Sequence, residues 1–216
     1  MMLPHISQTP VLKAEKIVFG PAGSSGPPLF NQLSVVLLPG VTWISGDEGS
    51  GKTSLLHLLS GAFEPDAVQG QLCIHSISFA QNPEAYRQLV AWQDPRDTAR
   101  DQQTARQIFA KLPQFHAGFR PDALQLHIAG LSLAPHLDKA LYMMSSGTRR
   151  KVLMAAAMAS MAPVTMLDQP FMALDRPSVA YLLQVLATVA QQSVGAWVVA
   201  DYEAPPGIAL AGTVEL

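Results

Sequence analysis

A chain of 216 residues is long enough to bury a full core, and its length predicts one large domain or one domain with a modest insertion. Hydrophobic residues make up 49% and charged residues 14%, against roughly 25% charged in an average soluble domain. A net charge of −2 excludes a global basic field of the kind that holds nucleic acid, and a single cysteine, Cys73, excludes an internal disulfide or a cysteine-based metal cluster, which fits a reducing compartment. The low charge and a mean hydropathy of +0.20 leave two readings open: a large alanine-rich core, or an apolar surface that a partner covers.

In chain order, "MMLPHISQTPVLKAEK" lacks the apolar core of a signal peptide. "KIVF" (16–19) reads as a short strand and "GPAGSSGPP" (20–28) as a loop. "LSVVLL" (33–38) and "VTWIS" (41–45) are β-rich with the turn signal "PG" between them. "KTSLLHLLSG" (52–61) has helical apolar spacing and stops at a glycine, and "QLCIHSISFA" (71–80) is again strand-like. Residues 98–142 predict several short helices broken at Pro113, Pro121 and Pro135. "GTRRKVLMAAAMASM" (147–161) predicts a helix leading into the strand "VTMLD", and "SVAYLLQVLATVAQQ" (178–192) a helix leading into the strand "AWVVA" (196–200). The longest nearly apolar run, 152–167, is broken by Ser160, Pro163 and Thr165 and is short of the roughly 20 residues a membrane span needs. Strands and helices alternate at both ends around a helical block, which predicts an α/β core with a helical insertion.

"GDEGSGKT" (46–53) fits G-x-x-x-x-G-K-[ST] and sits after an apolar strand at the start of a helix, as its mechanism requires. The glycines Gly46, Gly49 and Gly51 let the loop curl so that backbone N–H groups face phosphate oxygens, and the helix N-terminus adds partial positive charge. Lys52 is placed for the β- and γ-phosphates, and the Thr53 hydroxyl for Mg²⁺. Asp47, Glu48, Ser50 and Ser54 complete the candidate ATP-binding set. The pattern arises by chance in about one chain of this length in a hundred. Asp168, ending "TMLD", is then the acidic strand end that holds Mg²⁺ through water.

With these residues in place the chain resembles the nucleotide-binding subunits of ABC transporters over nearly its whole length. "AWQDP" (91–95) resembles the family's Q-loop, with Gln93 as the glutamine that touches Mg²⁺ and senses the membrane subunit. "MSSGTRRKV" (144–152) resembles the signature LSGGQ and the basic helix start after it, so Met144, Ser145, Ser146, Gly147 and Thr148 would face a partner's ATP. "MALD" (172–175) resembles the D-loop, with Asp175. Phe19 is the candidate for the aromatic that stacks on adenine; the alternative is a core strand residue. The resemblance implies the ABC-cassette version of the P-loop NTPase fold: an α/β architecture, a mostly parallel core sheet, an antiparallel β subdomain and a helical insertion. One domain would span 1–216, with its core at 1–95 and 160–216 and a helical subdomain at about 96–159. It also implies ATP and Mg²⁺ as cofactors, a head-to-tail dimer with a second cassette, a transmembrane partner, no nucleic acid, and a place on the cytoplasmic face of a membrane. In size the chain is similar to compact bacterial members such as haem-exporter ATPases.

The departures are as informative. Where the family has a glutamate after the strand aspartate, this chain has Gln169, and where it has the switch histidine, "VVADYE" offers Ala200. A neutral amide cannot act as a base, and general base catalysis is worth about 10²–10⁴-fold. These positions predict slow or absent hydrolysis with binding intact, unless another carboxylate, Asp175 or Asp201, substitutes. Two further functions compete with a transporter subunit: a nucleotide-regulated scaffold that does not cycle, and a non-transport ABC protein, which would usually carry paired cassettes or basic linkers.

Other features carry blander readings. The six histidines have no metal-ligand spacing, and His57 reads as a surface or packing position. "RRK" (149–151) reads as a solvated helix start, and the methionines at 143, 144, 154, 158, 161, 166 and 172 as flexible core filling.

Overall fold

The computed structural model describes residues 9–20, 27–192 and 194–216. Most of the N-terminal stretch tested for a signal peptide, and positions 21–26 of the Gly/Pro/Ser loop, lie outside these.

Two sheets are built from nine strands among the described residues. An antiparallel sheet has β1 (Leu12–Phe19), β2 (Phe30–Leu37), β4 (Val68–Ile74) and β5 (Ile77–Ser78) in the order β2-β1-β4-β5. A five-stranded sheet has β3 (Gly40–Ser45), β6 (Val90–Ala91), β7 (Val164–Asp168), β8 (Ala196–Ala200) and β9 (Leu210–Glu215) in the order β6-β7-β8-β3-β9, every pair parallel. Both faces of a parallel sheet are covered, so its central strands are apolar throughout. Accordingly "VTMLD" and "AWVVA" are buried at every position.

The strand period of two sorts their side chains between two cores. Ala196, Val198 and Ala200 join the core around α1 (Lys52–Leu59), which lies between the two sheets. Leu55, Leu56, Leu58 and Leu59 are all fully buried there, as expected of a helix covered on all sides. Trp197 and Val199 face the other core, formed with α3 (Ala105–Phe115), α4 (Pro121–Gly130), α5 (Ser146–Ala159) and α6 (Arg176–Gln192). A short helix, α2 (Pro83–Gln88), leads into β6. His57 is a packing residue, edge-on to the Trp92 ring at 5.7 Å.

The prolines act differently from expectation at one position. Pro121 opens α4 and Pro135 lies in a 3₁₀ turn, but Pro113 does not break its helix; it lies inside α3, which ends at Phe115. It falls in the last turn, where one lost hydrogen bond costs little continuity, and the capping box of Thr104 and Gln107 fixes the other end. The methionines also divide: Met154, Met158 and Met166 are core, whereas Met143, Met161 and Met172 are exposed. No helix among the described residues is long and apolar enough to cross a membrane.

Candidate nucleotide site

Parallel register aligns the C-terminal ends of three strands. Asp168 of β7 and Ile44 of β3 both pair with Ala200 of β8. Ligand sites of open parallel sheets lie at this edge. Here it gathers the loop 46–51, the turn at Gln169 and the turn at Asp201–Tyr202.

The loop is shaped by its glycines. Gly46 has φ +152°, and a Cβ there would meet Ser50 Oγ at 2.4 Å and the Leu216 carbonyl oxygen at 2.9 Å. That second wall comes from the end of β9, where the Leu216 N–H donates to Ser45 O at 3.1 Å. Gly51, at φ +103°, opens α1 with no side-chain cap, so the first N–H groups of the helix are left for a ligand. Lys52 is only 6% exposed, and its Nζ donates to Gly46 O at 2.5 Å and Asp47 O at 2.7 Å. Asp47, Glu48 and Gly49 are exposed at the loop tip, and Ser54 is half-buried at the helix start.

Thr53 Oγ1 donates to Asp168 Oδ2 at 2.7 Å, while Asp168 Oδ1 is buried without a hydrogen-bond partner, as is Ser50 Oγ. Burial pushes the Asp168 carboxyl up, and the Thr53 hydrogen bond opposes this. A hydroxyl and a carboxylate with an unused oxygen are the hard-oxygen donors that suit Mg²⁺. Gln93 lines the same small cavity as Asp168, so the expected metal-side residues converge.

Gln169 is half-buried, with φ +45°. Its N–H donates to Ala200 O at 2.8 Å, and its Nε2 donates to the Tyr202 hydroxyl at 3.3 Å. Ala200 is fully buried on the α1 face of the sheet, the face Asp168 also uses, and its methyl brings no polar side-chain group to the site. What emerges from the end of β8 is Asp201 and Tyr202. Burial raises the Asp201 carboxyl, whose Oδ1 accepts from Tyr202 N at 2.8 Å. The Tyr202 ring stands 4.5 Å from Lys52 Nζ. Phe19 is half-buried, stacked on Phe30 and tilted against Phe63; Phe30 in turn lies beside Gly51, so the aromatic cluster flanks the loop.

The signature residues meet the D-loop. Ser145 caps α5, accepting from Thr148 N at 3.2 Å, and its Oγ lies 3.0 Å from Thr148 Oγ1. Gly147 packs so tightly that a Cβ would lie 2.3 Å from Ala173 O. Ser145 and Ser146 are exposed, and Met144 is partly buried against the core. Among the described residues no hydrogen bond joins 144–148 to the phosphate loop of the same chain. Asp175 caps α6, accepting from Ser178 N at 2.9 Å, and pairs with Lys151, which holds its carboxyl well below the usual range.

The "RRK" run is not a solvated helix start. Arg149 pairs with Asp101, Lys151 pairs with Asp175, and Arg150 Nη1 donates to Asp168 O and Gln169 O, both at 2.8 Å. Three consecutive cations therefore tie the start of α5 to three loops. Their partners lie 18 to 48 residues away, so nothing local in the sequence marks them. Tyr202 and Leu216 were likewise without a sequence signal, since they meet the loop only through strand order.

A groove of about 440 Å³ opens beside the site, lined by Trp92, Gln93, Arg100, Gln103, Lys111 and Phe115 among others. Phe115 is 58% exposed, and Tyr142 and Met143 lie on the surface just before the signature. The apolar composition thus serves both a large core and exposed patches.

A glycine-shaped phosphate loop, an acidic strand end bonded to its threonine, and a capped signature helix on a D-loop define an ATP-binding cassette. Residues 30–172 match the family described as ABC transporter. The chain is 33% identical over 165 residues to the cytochrome c biogenesis ATP-binding export protein CcmA of Pseudomonas putida (strain GB-1), covering 76% of this chain and 78% of that protein. It is 31% identical to the protein of the same name from Pseudomonas syringae pv. syringae (strain B728a), covering 84% of each. Among solved structures, an ATP-binding subunit of an ABC transporter superposes with a TM-score of 0.75 at 18% identity, covering 89% of this chain and 79% of that one. The dimeric cassette MJ0796 does so at 0.71 and 17%, covering 89% and 88%. The chain belongs to the ABC transporter family, as a nucleotide-binding subunit.

Proposed function

We propose that the chain is the ATP-binding subunit of an ABC-type membrane transporter that holds Mg-ATP tightly and hydrolyses it very slowly or not at all. The single cassette is read as a core of 1–95 and 160–216 with a helical subdomain at about 96–159. ATP lies between the loop 46–53 of one chain and residues 144–148 of a second cassette; the exposure of Ser145 and Ser146 supports this. Phe19 is assigned to the adenine. Lys52 binds the phosphates, and Thr53, Asp168 and Gln93 hold the metal, Asp168 through water. Mg²⁺, when bound, neutralises phosphate charge.

The observation that carries the reading is Gln169. It stands directly after Asp168, at the edge of the site, where its amide can hydrogen-bond to water but cannot take a proton. Of the two alternative carboxylates, Asp175 is committed to Lys151 and Ser178, which makes it a weak base. Asp201, raised by burial and accepting from the Tyr202 N–H, is the competing base, and Asp201→Asn is expected to leave the slow turnover unchanged. Gln169 beside an intact phosphate loop also fits a second reading, a nucleotide-regulated scaffold subunit.

The groove beside Gln93, with exposed Phe115 at its wall, is assigned to a transmembrane partner, and the chain to the cytoplasmic face of that partner's membrane; the groove's exposed apolar wall supports the first assignment. The names of its relatives make an export system of the cytochrome c biogenesis type the first place to look for that partner. A photocrosslinker at Gln103 in native membranes is expected to label an integral membrane protein. Labelling confined to soluble proteins contradicts the transporter reading.

A further inference from the structure

Tyr202 is a residue that the binding and hydrolysis roles above leave unused, yet it touches two of their members. Its ring stands over Lys52 Nζ at 4.5 Å, and its hydroxyl accepts from Gln169 Nε2 at 3.3 Å. Its backbone is anchored at the sheet edge: Tyr202 N donates to Asp201 Oδ1 at 2.8 Å, and Asp201 O accepts from Trp43 Nε1 at 3.1 Å. Tyr202 is 46% exposed, and its ring reaches from this anchor to Lys52, the residue that follows the loop. Tyr202 also lines a groove of about 420 Å³ together with Phe171, Val179 and Leu183, a groove that Lys52 does not line.

One ammonium group cannot keep its aromatic face and also turn fully to phosphate oxygens. A ring over a cation is a real attraction, and a phosphate oxygen is a stronger one. We propose that Tyr202 gates the phosphate site: terminal phosphates of ATP enter by displacing the Tyr202 ring from Lys52, and the ring moves toward the groove of Phe171, Val179 and Leu183. Its departure also frees the Gln169 amide to bond elsewhere. This inference rests on the reading of residues 46–53 as the ATP site.

The test uses the full chain labelled with 3-fluorotyrosine, which has four tyrosines, with the Tyr202 resonance assigned from Tyr202→Phe. Without nucleotide, Lys52→Ala is expected to shift the Tyr202 resonance, because the contact is lost; an unmoved resonance overturns the gate. On ATP titration of the wild type, the Tyr202 resonance is expected to move in step with binding. Tyr202→Ala is expected to lower the ATP dissociation constant about two- to fivefold, the range of an exposed cation–π contact, with Tyr202→Phe much closer to wild type. An unchanged or weaker affinity in Tyr202→Ala, with ATP still binding the wild type, overturns the gate and leaves the site standing. ATP binding by neither protein overturns the site and the gate with it. The fluorine measurement in the Lys52 variant stands even where Tyr202→Ala does not fold.

Discussion

Thr53 donates its hydroxyl to Asp168 Oδ2 at 2.7 Å, joining the helix after the phosphate loop to the end of a strand 115 residues later in the chain. The bond leaves Asp168 Oδ1 buried and unpaired. A buried acceptor without a partner costs about 1–3 kcal/mol, so the arrangement favours a ligand that uses it. Asp168→Asn is expected to weaken ATP binding in Mg²⁺ but to change it little when EDTA is present. Equal effects with and without Mg²⁺ would place Asp168 outside the metal's reach.

The same site predicts stabilisation by mass action. At a hundredfold excess over its dissociation constant, ATP stabilises the folded chain by about 2.7 kcal/mol. A scanning melt with Mg-ATP is expected to show this rise, and Lys52→Ala to lose most of it. A wild-type melt that ATP leaves unmoved contradicts the assignment of the loop.

Gly147→Ala drives a methyl into the Ala173 carbonyl oxygen, which is backbone and cannot swing away. Overpacking of this kind costs about 1–3 kcal/mol. Urea unfolding is expected to show a loss in that range, and Ser146→Ala, at an exposed position, almost none. Equal stability of Gly147→Ala and wild type would show that the signature and D-loop are not in contact.

His127 is buried on α4, and burial pushes its imidazole down to about 4, from an ordinary value near 6.5. Below the ordinary value the unfolded chain takes up a proton that the folded chain does not. Stability through this group is therefore complete above about pH 6.5, falls as pH drops toward 4, and levels off below. The loss is up to about 3 kcal/mol. His127→Gln, which can still bond the Tyr181 hydroxyl, is expected to flatten the acid limb between these values in pH-dependent urea melts. An unchanged limb would mean that carboxylates alone set it.

The parts legible in the sequence were those with local causes. The phosphate loop is a run of eight residues whose glycines, lysine and threonine act together. The strands "VTMLD" and "AWVVA" were apolar enough to read because both faces are covered. β9 was missed because an exposed edge strand of sequence "LAGTVE" carries little apolar pattern. Arg150 and Tyr202 were missed because their partners are fixed by strand order, which places β8 between β7 and β3. At Ala200 the position shares its sheet face with Asp168 but carries only a methyl, and the polar groups at that strand end come from the next two residues, which no motif marks.

Gln169 is the residue proposed to hold turnover low. Phosphate release from the purified chain, with and without its membrane partner, compared with Gln169→Glu and with Gln169→Glu combined with Ala200→His, tests it most directly. The wild type is expected to show almost no turnover yet still to dimerise with ATP, and Gln169→Glu to rise toward the 10²–10⁴-fold that a general base supplies. Because Ala200 is buried, adding Ala200→His should give little more. Wild-type turnover at about 1 s⁻¹ or above, with Gln169→Glu no faster, would show that another group activates the water and that Gln169 does not limit the rate.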